Sequence, residues 1–253
     1  MFDSHAHYDD RKFEGDRESL LRSLPFRGVT GVVNAGCDVP SSYRSLELAQ
    51  KYSHIYATAG IHPNDALKAE KGYLNSLEEL LKEEKVVAVG EIGLDYHWDT
   101  VPKDVQRKFF REQLELAVSL DKPVVIHARE AVGECAETVL EYKGLRGIFH
   151  SYSGSVETMK QLQKYGWYMS FSGPCTFSNA SKLREVVANC DINLMLTETD
   201  APYLTPHPYR GERNDSTYIK YVINKIAELK NMSPVDVEKI TTENACRIYG
   251  ISI

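Results

Sequence analysis

The sequence predicts a single α/β domain folded as a (β/α)8 TIM-type barrel. Three observations favour it: strand-like and helix-like segments alternate, a strand begins roughly every 25–30 residues, and eight such units fill the 253-residue chain. Strict alternation predicts parallel strands joined by helical crossovers, and eight units suffice to close a barrel. A doubly wound open sheet is the alternative. Because no proline-rich, serine-rich or low-complexity segment marks a boundary, residues 1–253 are interpreted as one domain.

Short apolar runs, several of them glycine-bounded, predict the strands. The run at 86–96 is the longest, and it ends in a glycine-containing tip. The predicted strands cover residues 1–7, 28–37, 55–63, 86–96, 123–127, 147–150, 167–173 and 192–197.

Apolar side chains at helical spacing predict a helix after each strand. Asp38, Ser155 and the pair Ser233-Pro234 are predicted start signals, because side chains of these types cap helix N-termini and proline fits the first turn. The predicted helices cover residues 15–24, 40–52, 73–84, 103–120, 134–142, 155–165, 179–189 and 217–230, with a closing helix over 235–248.

Composition excludes several classes of protein. Hydrophobic residues at 42% and charged residues at 26% are typical of soluble globular proteins, and no apolar run is long enough for a membrane span. A net charge of -6 gives no broad basic surface for nucleic acid. The five cysteines are odd in number and form no C-x-x-C pair, which favours free, small and buried thiols in a reducing compartment. With no signal-peptide pattern, we expect a cytoplasmic protein without an obligate protein partner.

Side chains with metal-binding chemistry follow the predicted strands, at the ends that line the mouth of a barrel. The first strand alternates Asp3, His5 and His7, which therefore project from one face. Taken singly, a strand-end histidine is more often an ordinary polar residue than a ligand. The whole set is more specific, and it comprises His5, His7, His62, Glu91, His127, His150 and Asp200. Ordinary polar residues have no reason to gather at one end, so the sequence predicts a metal centre there.

The set contains enough ligands for two divalent ions. Four imidazoles and two carboxylates give each ion about four ligands if one carboxylate bridges them. Glu91 is the only carboxylate near the middle of the set, and it is the predicted bridge. Asp3 is interpreted as a buried carboxylate below the histidines that steers an imidazole tautomer. Glu198 and Thr199 are interpreted as structural neighbours of Asp200.

Over essentially its whole length the chain resembles the TatD family of metal-dependent deoxyribonucleases, a branch of the amidohydrolase-type metal barrels. Six motifs in the family order carry this resemblance. They are Phe2-Asp-Ser-His-Ala-His7, Gly60-Ile-His-Pro63, Gly90-Glu-Ile-Gly-Leu-Asp-Tyr96, Pro123-Val-Val-Ile-His-Ala-Arg129, His150-Ser-Tyr-Ser-Gly154 and Glu198-Thr-Asp-Ala-Pro-Tyr-Leu204. One departure is Asp215-Ser216, where the family pattern has an acidic residue followed by proline.

The resemblance implies phosphodiester hydrolysis on DNA, often as an exonuclease on single strands, supported by magnesium, zinc or manganese. The implied metal ligands are His5, His7, Glu91, His127, His150 and Asp200. His62 and Arg129 match positions expected near the substrate phosphate, and Asp95 is predicted to face the substrate or to support the site.

The mechanistic hypothesis is hydrolysis by a metal-activated water, with Asp200 as proton acceptor and Glu91 as bridging carboxylate. Five loop aromatics are candidates for stacking on bases of a single strand, with packing as the alternative: Tyr96, Trp98, Tyr152, Phe177 and Tyr203. Two rival functions stay open. One is a hydrolase of the same architecture acting on a carbon ester or amide, such as a lactone or an aminoacyl linkage. The other is a non-catalytic scaffold with a vestigial site.

Overall fold

Eight strands form one parallel sheet in which each strand pairs with its neighbour in the sequence. The computed structural model describes residues 1–252. The strands are β1 Phe2–Ala6, β2 Gly31–Asn34, β3 Ile55–Ala59, β4 Val86–Asp95, β5 Val124–Arg129, β6 Gly147–Phe149, β7 Tyr168–Phe171 and β8 Met195–Thr197.

The first and last strands meet and close the sheet. The Ser4 hydroxyl donates to the Thr197 carbonyl at 3.1 Å, and beyond β8 the His7 N–H donates to the Ala201 carbonyl at 2.7 Å. An open doubly wound sheet would instead reverse its strand order at a switch point. The sequential order and this contact confirm the predicted (β/α)8 barrel.

Nine α-helices cover the outside and the base of the barrel in the part of the chain that the structure describes. They are α1 Arg17–Ser23, α2 Val39–Lys51, α3 Tyr73–Leu81, α4 Lys103–Ser119, α5 Val132–Leu140, α6 Val156–Gln163, α7 Ser181–Asn189, α8 Ile219–Lys230 and α9 Pro234–Tyr249. The three predicted caps are confirmed: Asp38, Ser155 and Ser233 each accept a backbone N–H from the first turn of α2, α6 and α9. Within residues 1–252, no helix combines the length and apolar character needed to cross a membrane.

The barrel interior has its own small core, which α9 closes. Inward-facing apolar side chains from the strands, such as Val33, Val125 and Leu196, pack in one cluster with Ile248 and Tyr249 of α9. The Tyr249 hydroxyl donates to the Ser4 carbonyl at 2.9 Å. Since α9 covers this interior cluster, access to the barrel is from the carboxyl ends of the strands.

Many predicted boundaries differ from the observed ones by one to four residues, and at three of them a short 3-10 turn adjoins the regular element. The third strand ends at Ala59, since His62 caps a turn over Pro63–Lys68 by accepting the Asn64 N–H at 3.1 Å. The eighth strand begins at Met195, after a turn over Ile192–Leu194. Helix α8 begins at Ile219, after a turn over Ser216–Tyr218.

Candidate metal centre

The six predicted ligands converge at the carboxyl end of the barrel. Three of them lie within β1, β4 and β5, and the other three lie in the segments that follow β1, β6 and β8. The six are His5, His7, Glu91, His127, His150 and Asp200. Three of the six are buried and three are partly exposed. Five of them line a cleft of about 740 Å³ that opens to solvent, and this cavity is called the first cleft.

The Nε2 atoms of His5 and His7 lie side by side, and one carboxylate oxygen of Glu91 and one of Asp200 lie near both of them. His5 Nε2 lies 3.1 Å from His7 Nε2, 3.3 Å from Glu91 Oε2 and 3.6 Å from Asp200 Oδ1. His7 Nε2 lies 3.7 Å from Glu91 Oε2 and 3.4 Å from Asp200 Oδ1. Tetrahedral metal–ligand bonds of about 2.0–2.2 Å keep ligand atoms about 3.3–3.6 Å apart. His5, His7 and Asp200 therefore form a group that could hold one divalent ion, and Glu91 Oε2 lies beside the two histidines of this group.

A second group forms around the other oxygen of Glu91. Oε1 lies 2.8 Å from His127 Nδ1 and 2.8 Å from His150 Nε2, and the two nitrogens are 3.2 Å apart. An octahedral ion with bonds of about 2.1 Å keeps adjacent ligand atoms about 3.0 Å apart. Glu91 thus presents one oxygen to each group, which is the arrangement expected of a bridging carboxylate.

The donor set requires positive charge. Burial raises the pKa of Glu91, but the charges of His150 and His5 and its hydrogen bonds outweigh burial and hold that pKa well below its usual value. Burial lowers the pKa of His150, yet the charge of Glu91 and the contacts with Glu198 raise it well above its usual value. Ionised buried carboxylates thus draw protons onto a neighbouring imidazole. Divalent cations meet the same requirement and leave the imidazoles neutral.

Three of the four ligand histidines have an oxygen near their second ring nitrogen: for His7 and His127 it is a hydrogen-bond partner, and for His150 it is a charge contact without a hydrogen bond. The partners are the Ala35 carbonyl for His7 Nδ1 (3.2 Å), Asp95 Oδ2 for His127 Nε2 (3.0 Å) and Glu198 Oε1 for His150 Nδ1 (3.4 Å). Such contacts fix which nitrogen faces a metal ion and make that nitrogen more basic.

Glu198 was interpreted as a structural neighbour of Asp200, but its carboxylate also contacts the ligand His150. Its side chain is 0% exposed. Oε1 accepts the Ser151 N–H at 2.8 Å and faces His150, and Oε2 accepts the Ser170 hydroxyl at 2.5 Å. Glu198 comes directly after the strongly apolar strand β8, and this position was the signal in the sequence that it could belong to the site. The sequence did not show which histidine it would contact.

The predicted role of Asp3 is wrong, because its carboxylate contacts no imidazole ring within residues 1–252. Oδ1 accepts the Thr199 N–H at 2.9 Å, and Oδ2 accepts the hydroxyls of Thr199 at 2.5 Å and Ser216 at 2.6 Å. Its contact with His5 is through the backbone N–H at 3.4 Å. Asp3 therefore ties β1 to the loop after β8, and Ser216, at the departure from the family pattern, is one of its partners.

The three predicted substrate-binding residues lie around the ligands. His62 Nε2 is 3.8 Å from Glu91 Oε1, and burial lowers the pKa of His62 to about 3, so its ring is neutral. Asp95 is buried and contacts His127. Arg129 is exposed, with its guanidinium 5.6 Å from the centre of the Trp98 ring. Substrate contact by His62 and Arg129 stays a prediction, and for Asp95 the contact with His127 favours the predicted alternative of supporting the site.

Cys37 was not predicted as part of the site. All five cysteines are free thiols, as expected, and three are buried. Cys37, however, is partly exposed in the first cleft, with Sγ 3.8 Å from His7 Nδ1 and 3.9 Å from Glu91 Oε2. The expectation of buried thiols is wrong for Cys37 and Cys246, which are both partly exposed. Cys37 is partly exposed because it follows the carboxyl end of β2, at the mouth of the barrel.

The five loop aromatics divide by exposure. Tyr152 is buried, whereas Tyr96 and Phe177 are partly buried. Trp98 and Tyr203 are 51% and 43% exposed. Packing is thus the role of Tyr152, and Trp98 and Tyr203 keep faces available to a ligand.

Comparison with known proteins gives consistent matches over the whole chain. A family model described as TatD related DNase matches residues 2–250. The chain is similar to YabD of Bacillus subtilis (strain 168), an uncharacterized metal-dependent hydrolase, with 43% identity over 100% of both chains. It is 35% identical to the uncharacterized metal-dependent hydrolase TatD of Mycobacterium tuberculosis, over 99% of this chain and 98% of that protein. The crystal structure of YJJV, a TatD homolog from Escherichia coli K12, superposes with a TM-score of 0.94 at 29% identity, over 100% of this chain and 98% of that one.

Proposed function

Because the chain belongs to the family of TatD-related DNases and is a metal-dependent hydrolase, we propose that it is a deoxyribonuclease acting from the ends of single strands. The observation that carries this proposal is the division of Glu91 between two ligand groups at the floor of an open cleft. Paired ions are a common device for hydrolysing phosphodiesters. The net charge of -6 also favours a short strand end over a broad duplex surface.

The residues of the chain have distinct roles in this proposal. Divalent ions, when bound by this ligand set, would supply Lewis acidity, which would neutralise charge on the phosphate and lower the pKa of water. Asp200 accepts the proton of the attacking water. Burial raises the pKa of Asp200, but its hydrogen bond with His7 and the charges of His7, His5 and His150 together outweigh burial and keep that pKa below its usual value, so the carboxylate is ionised and able to accept. Neutral His62 and charged Arg129 orient the phosphate.

The same ligands would also suit attack on a carbonyl carbon, so the experiment must separate phosphodiesters from carbon esters and amides. Protein stripped with a chelator is given end-labelled single-stranded DNA, with magnesium, manganese or zinc restored one at a time. Linear and circular strands of one sequence are compared, and an aryl ester is assayed in parallel. We expect stepwise shortening of the linear strand, dependence on the restored ion, and resistance of the circle.

Variants assign the activity to the site. Glu91→Ala and Asp200→Ala should each abolish shortening of the strand, while Glu84→Ala, an exposed carboxylate in the loop before β4, should retain it. If wild-type protein cuts no strand with any ion yet cleaves the aryl ester, the nuclease proposal is wrong and the ester hydrolase replaces it. If it does neither and binds no ion, the scaffold function is favoured.

We also propose that the protein acts in a reducing compartment, the cytoplasm. The support is the set of five cysteines, all of them free thiols, which is typical of proteins kept in a reducing compartment. Fractionation of the source cells with an antibody tests the location, and recovery outside the cytoplasm would contradict it.

A further inference from the structure

A second cavity lies beside the first cleft, between the loops that follow β3 and β4. Its volume of about 390 Å³ falls in the range of about 300–1,000 Å³ found for ligand pockets. It is lined by Asn64, Asp65, Leu67, Lys68, Trp98, Thr100 and Val101. Asn64 and Asp65 also line the first cleft, whereas none of the six metal ligands is among the residues named for this cavity. The cavity, called the Trp98 pocket, therefore adjoins the metal centre without being part of it.

Two large apolar side chains are exposed in the Trp98 pocket. Trp98 is 51% exposed, and Leu67 is 61% exposed. Exposed apolar side chains that share one concave surface are typical of a binding site. An indole ring offers a large flat face and loses little conformational entropy when it is fixed. The pocket therefore suits a ligand group that is flat and mainly apolar.

The charged side chains in the lining of the pocket neutralise each other. They are Asp65 and Lys68, and Lys68 Nζ lies 2.6 Å from Asp65 Oδ1. A neutral pocket gives a phosphate no electrostatic gain, since phosphates bind where cations are in excess. A nucleobase is flat and uncharged, so it matches both the shape and the charge of this surface.

One arginine lies next to the tryptophan ring. The Arg129 guanidinium is exposed and lies 5.6 Å from the centre of the Trp98 ring, which is within the range of a cation–π contact. The neighbouring carboxylate has its own partner, because Glu130 Oε1 lies 2.7 Å from His97 Nδ1. Guanidinium N–H groups are well suited to phosphate oxygens. Arg129 can therefore contact a phosphate while a base of the same strand lies on Trp98.

A buried carboxylate connects the loop of Trp98 to the metal centre. Asp95 Oδ1 accepts the backbone N–H groups of His97 at 3.0 Å and of Trp98 at 3.4 Å. Asp95 Oδ2 lies 3.0 Å from Nε2 of the ligand His127. The tryptophan is thus held close to the ligands, and a strand with a phosphate at the metal centre can place a nearby base on the ring.

From these observations, and resting on the proposed nuclease function, we propose that Trp98 binds an unpaired base of the substrate strand by stacking, outside the cleft where the strand is cut. Leu67 contacts the same base, and Arg129 lies between the base and the phosphate that it orients. In a duplex each base is already stacked and paired, so the site selects single strands. Because every base has a flat face, the site does not select a sequence.

Kinetics of Trp98 variants test the contact. Trp98→Ala removes the ring and Trp98→Phe keeps a smaller one, and both keep the backbone N–H that Asp95 accepts. Tyr165→Ala, which removes a 68% exposed ring in the loop before β7 at the opposite end of the barrel, is the matched control.

Relative to Tyr165→Ala, Trp98→Ala should raise KM for a single-stranded oligonucleotide about fivefold or more, because a stacked base is lost. The value of kcat should be retained, and Trp98→Phe should recover part of the loss in KM. Thermal melting and metal content check that the variants are folded and loaded. Equal KM values in Trp98→Ala and Tyr165→Ala would overturn the proposal.

Tryptophan fluorescence gives a direct reading of the stacking. The chain has two tryptophans, and Trp167 is only 1% exposed, so a bound base can reach Trp98 alone. Emission is recorded by stopped flow before the first turnover, with a thymidine oligonucleotide and with its blunt duplex. We expect the single strand to quench the emission of the wild-type protein, the duplex to quench it little, and Trp98→Phe to show no quenching. Equal quenching by the duplex would contradict the selection of unpaired bases.

The outcomes separate this proposal from the proposed function. If wild-type protein cuts no DNA, the nuclease function is wrong, and stacking of a substrate base is wrong with it. If wild-type protein shortens the strand while Trp98→Ala matches Tyr165→Ala, the nuclease stands and the stacking site is wrong. If Trp98→Ala then also separates a dimer that the wild-type protein forms, the apolar surface is a contact between two copies of the chain. A higher KM in Trp98→Ala together with quenching by single strands supports the proposal.

Discussion

Replacing Glu198 by glutamine tests whether a carboxylate behind a ligand histidine controls the metal centre. Glutamine keeps the size of the side chain and one oxygen that can accept the Ser151 N–H. Its amide nitrogen can donate to the Ser170 oxygen, since the Ser170 hydroxyl can turn to its other neighbour, Ser4 Oγ, at 3.1 Å. The hydrogen bonds are therefore retained, and stability should change by less than about 1 kcal/mol.

What glutamine removes is a fully buried negative charge 3.4 Å from His150 Nδ1. Loss of such a partner typically weakens metal binding roughly 10–100-fold, or about 1.4–2.7 kcal/mol. Competition with a coloured chelator measures the affinity, and thermal melting without metal measures the fold. Glu112→Gln, which alters a carboxylate bonded to the Tyr73 hydroxyl outside the barrel, is the matched control. Metal affinity in Glu198→Gln equal to that of Glu112→Gln would refute the reasoning.

Three further predictions concern stability and metal content. Removing metal should lower the melting temperature. The free energy of unfolding should fall by about 2.7 kcal/mol for each site that was exposed to free metal at 100 times its Kd, and calorimetry with and without chelator measures the change. Asp3→Ala leaves three buried donors without an acceptor and should cost about 3 kcal/mol or more, whereas Asp3→Asn should recover most of this in denaturant melts. A Cβ at Gly93, where φ is +142°, would lie 2.0 Å from the His127 carbonyl oxygen, so Gly93→Ala should lower both the stability of the fold and the bound metal. The control is Gly133→Ala, in an open position on α5, which should raise the free energy of unfolding by about 0.5–1 kcal/mol. Unchanged melting and metal content in Gly93→Ala would contradict the clash.

The sequence predicted the ligand set because barrel topology brings the carboxyl ends of all strands together, whatever the details of the loops. His5 and His150 needed only correct strand ends to be placed in one site. The contacts behind them depend on the path of a loop and the rotamer of a side chain, which strand periodicity does not contain. Asp3 shows this: its alternation with His5 indicated a shared face, yet its side chain accepts hydrogen bonds from Thr199 and Ser216, which are distant in the sequence.

The buried charges give a physical reason for carboxylates that are not ligands. Four carboxylates surround the centre: Glu91 and Asp200 among the ligands, and Asp95 and Glu198 behind His127 and His150. Their summed charge of about -4 balances two divalent ions if the imidazoles are neutral. Without the two supporting carboxylates, the ions would sit in a buried site with excess positive charge, and their affinity would fall. Asp95 and Glu198 thus set the charge of the centre as well as the tautomers of its histidines, which is why a neutral glutamine of equal size should be enough to weaken metal binding.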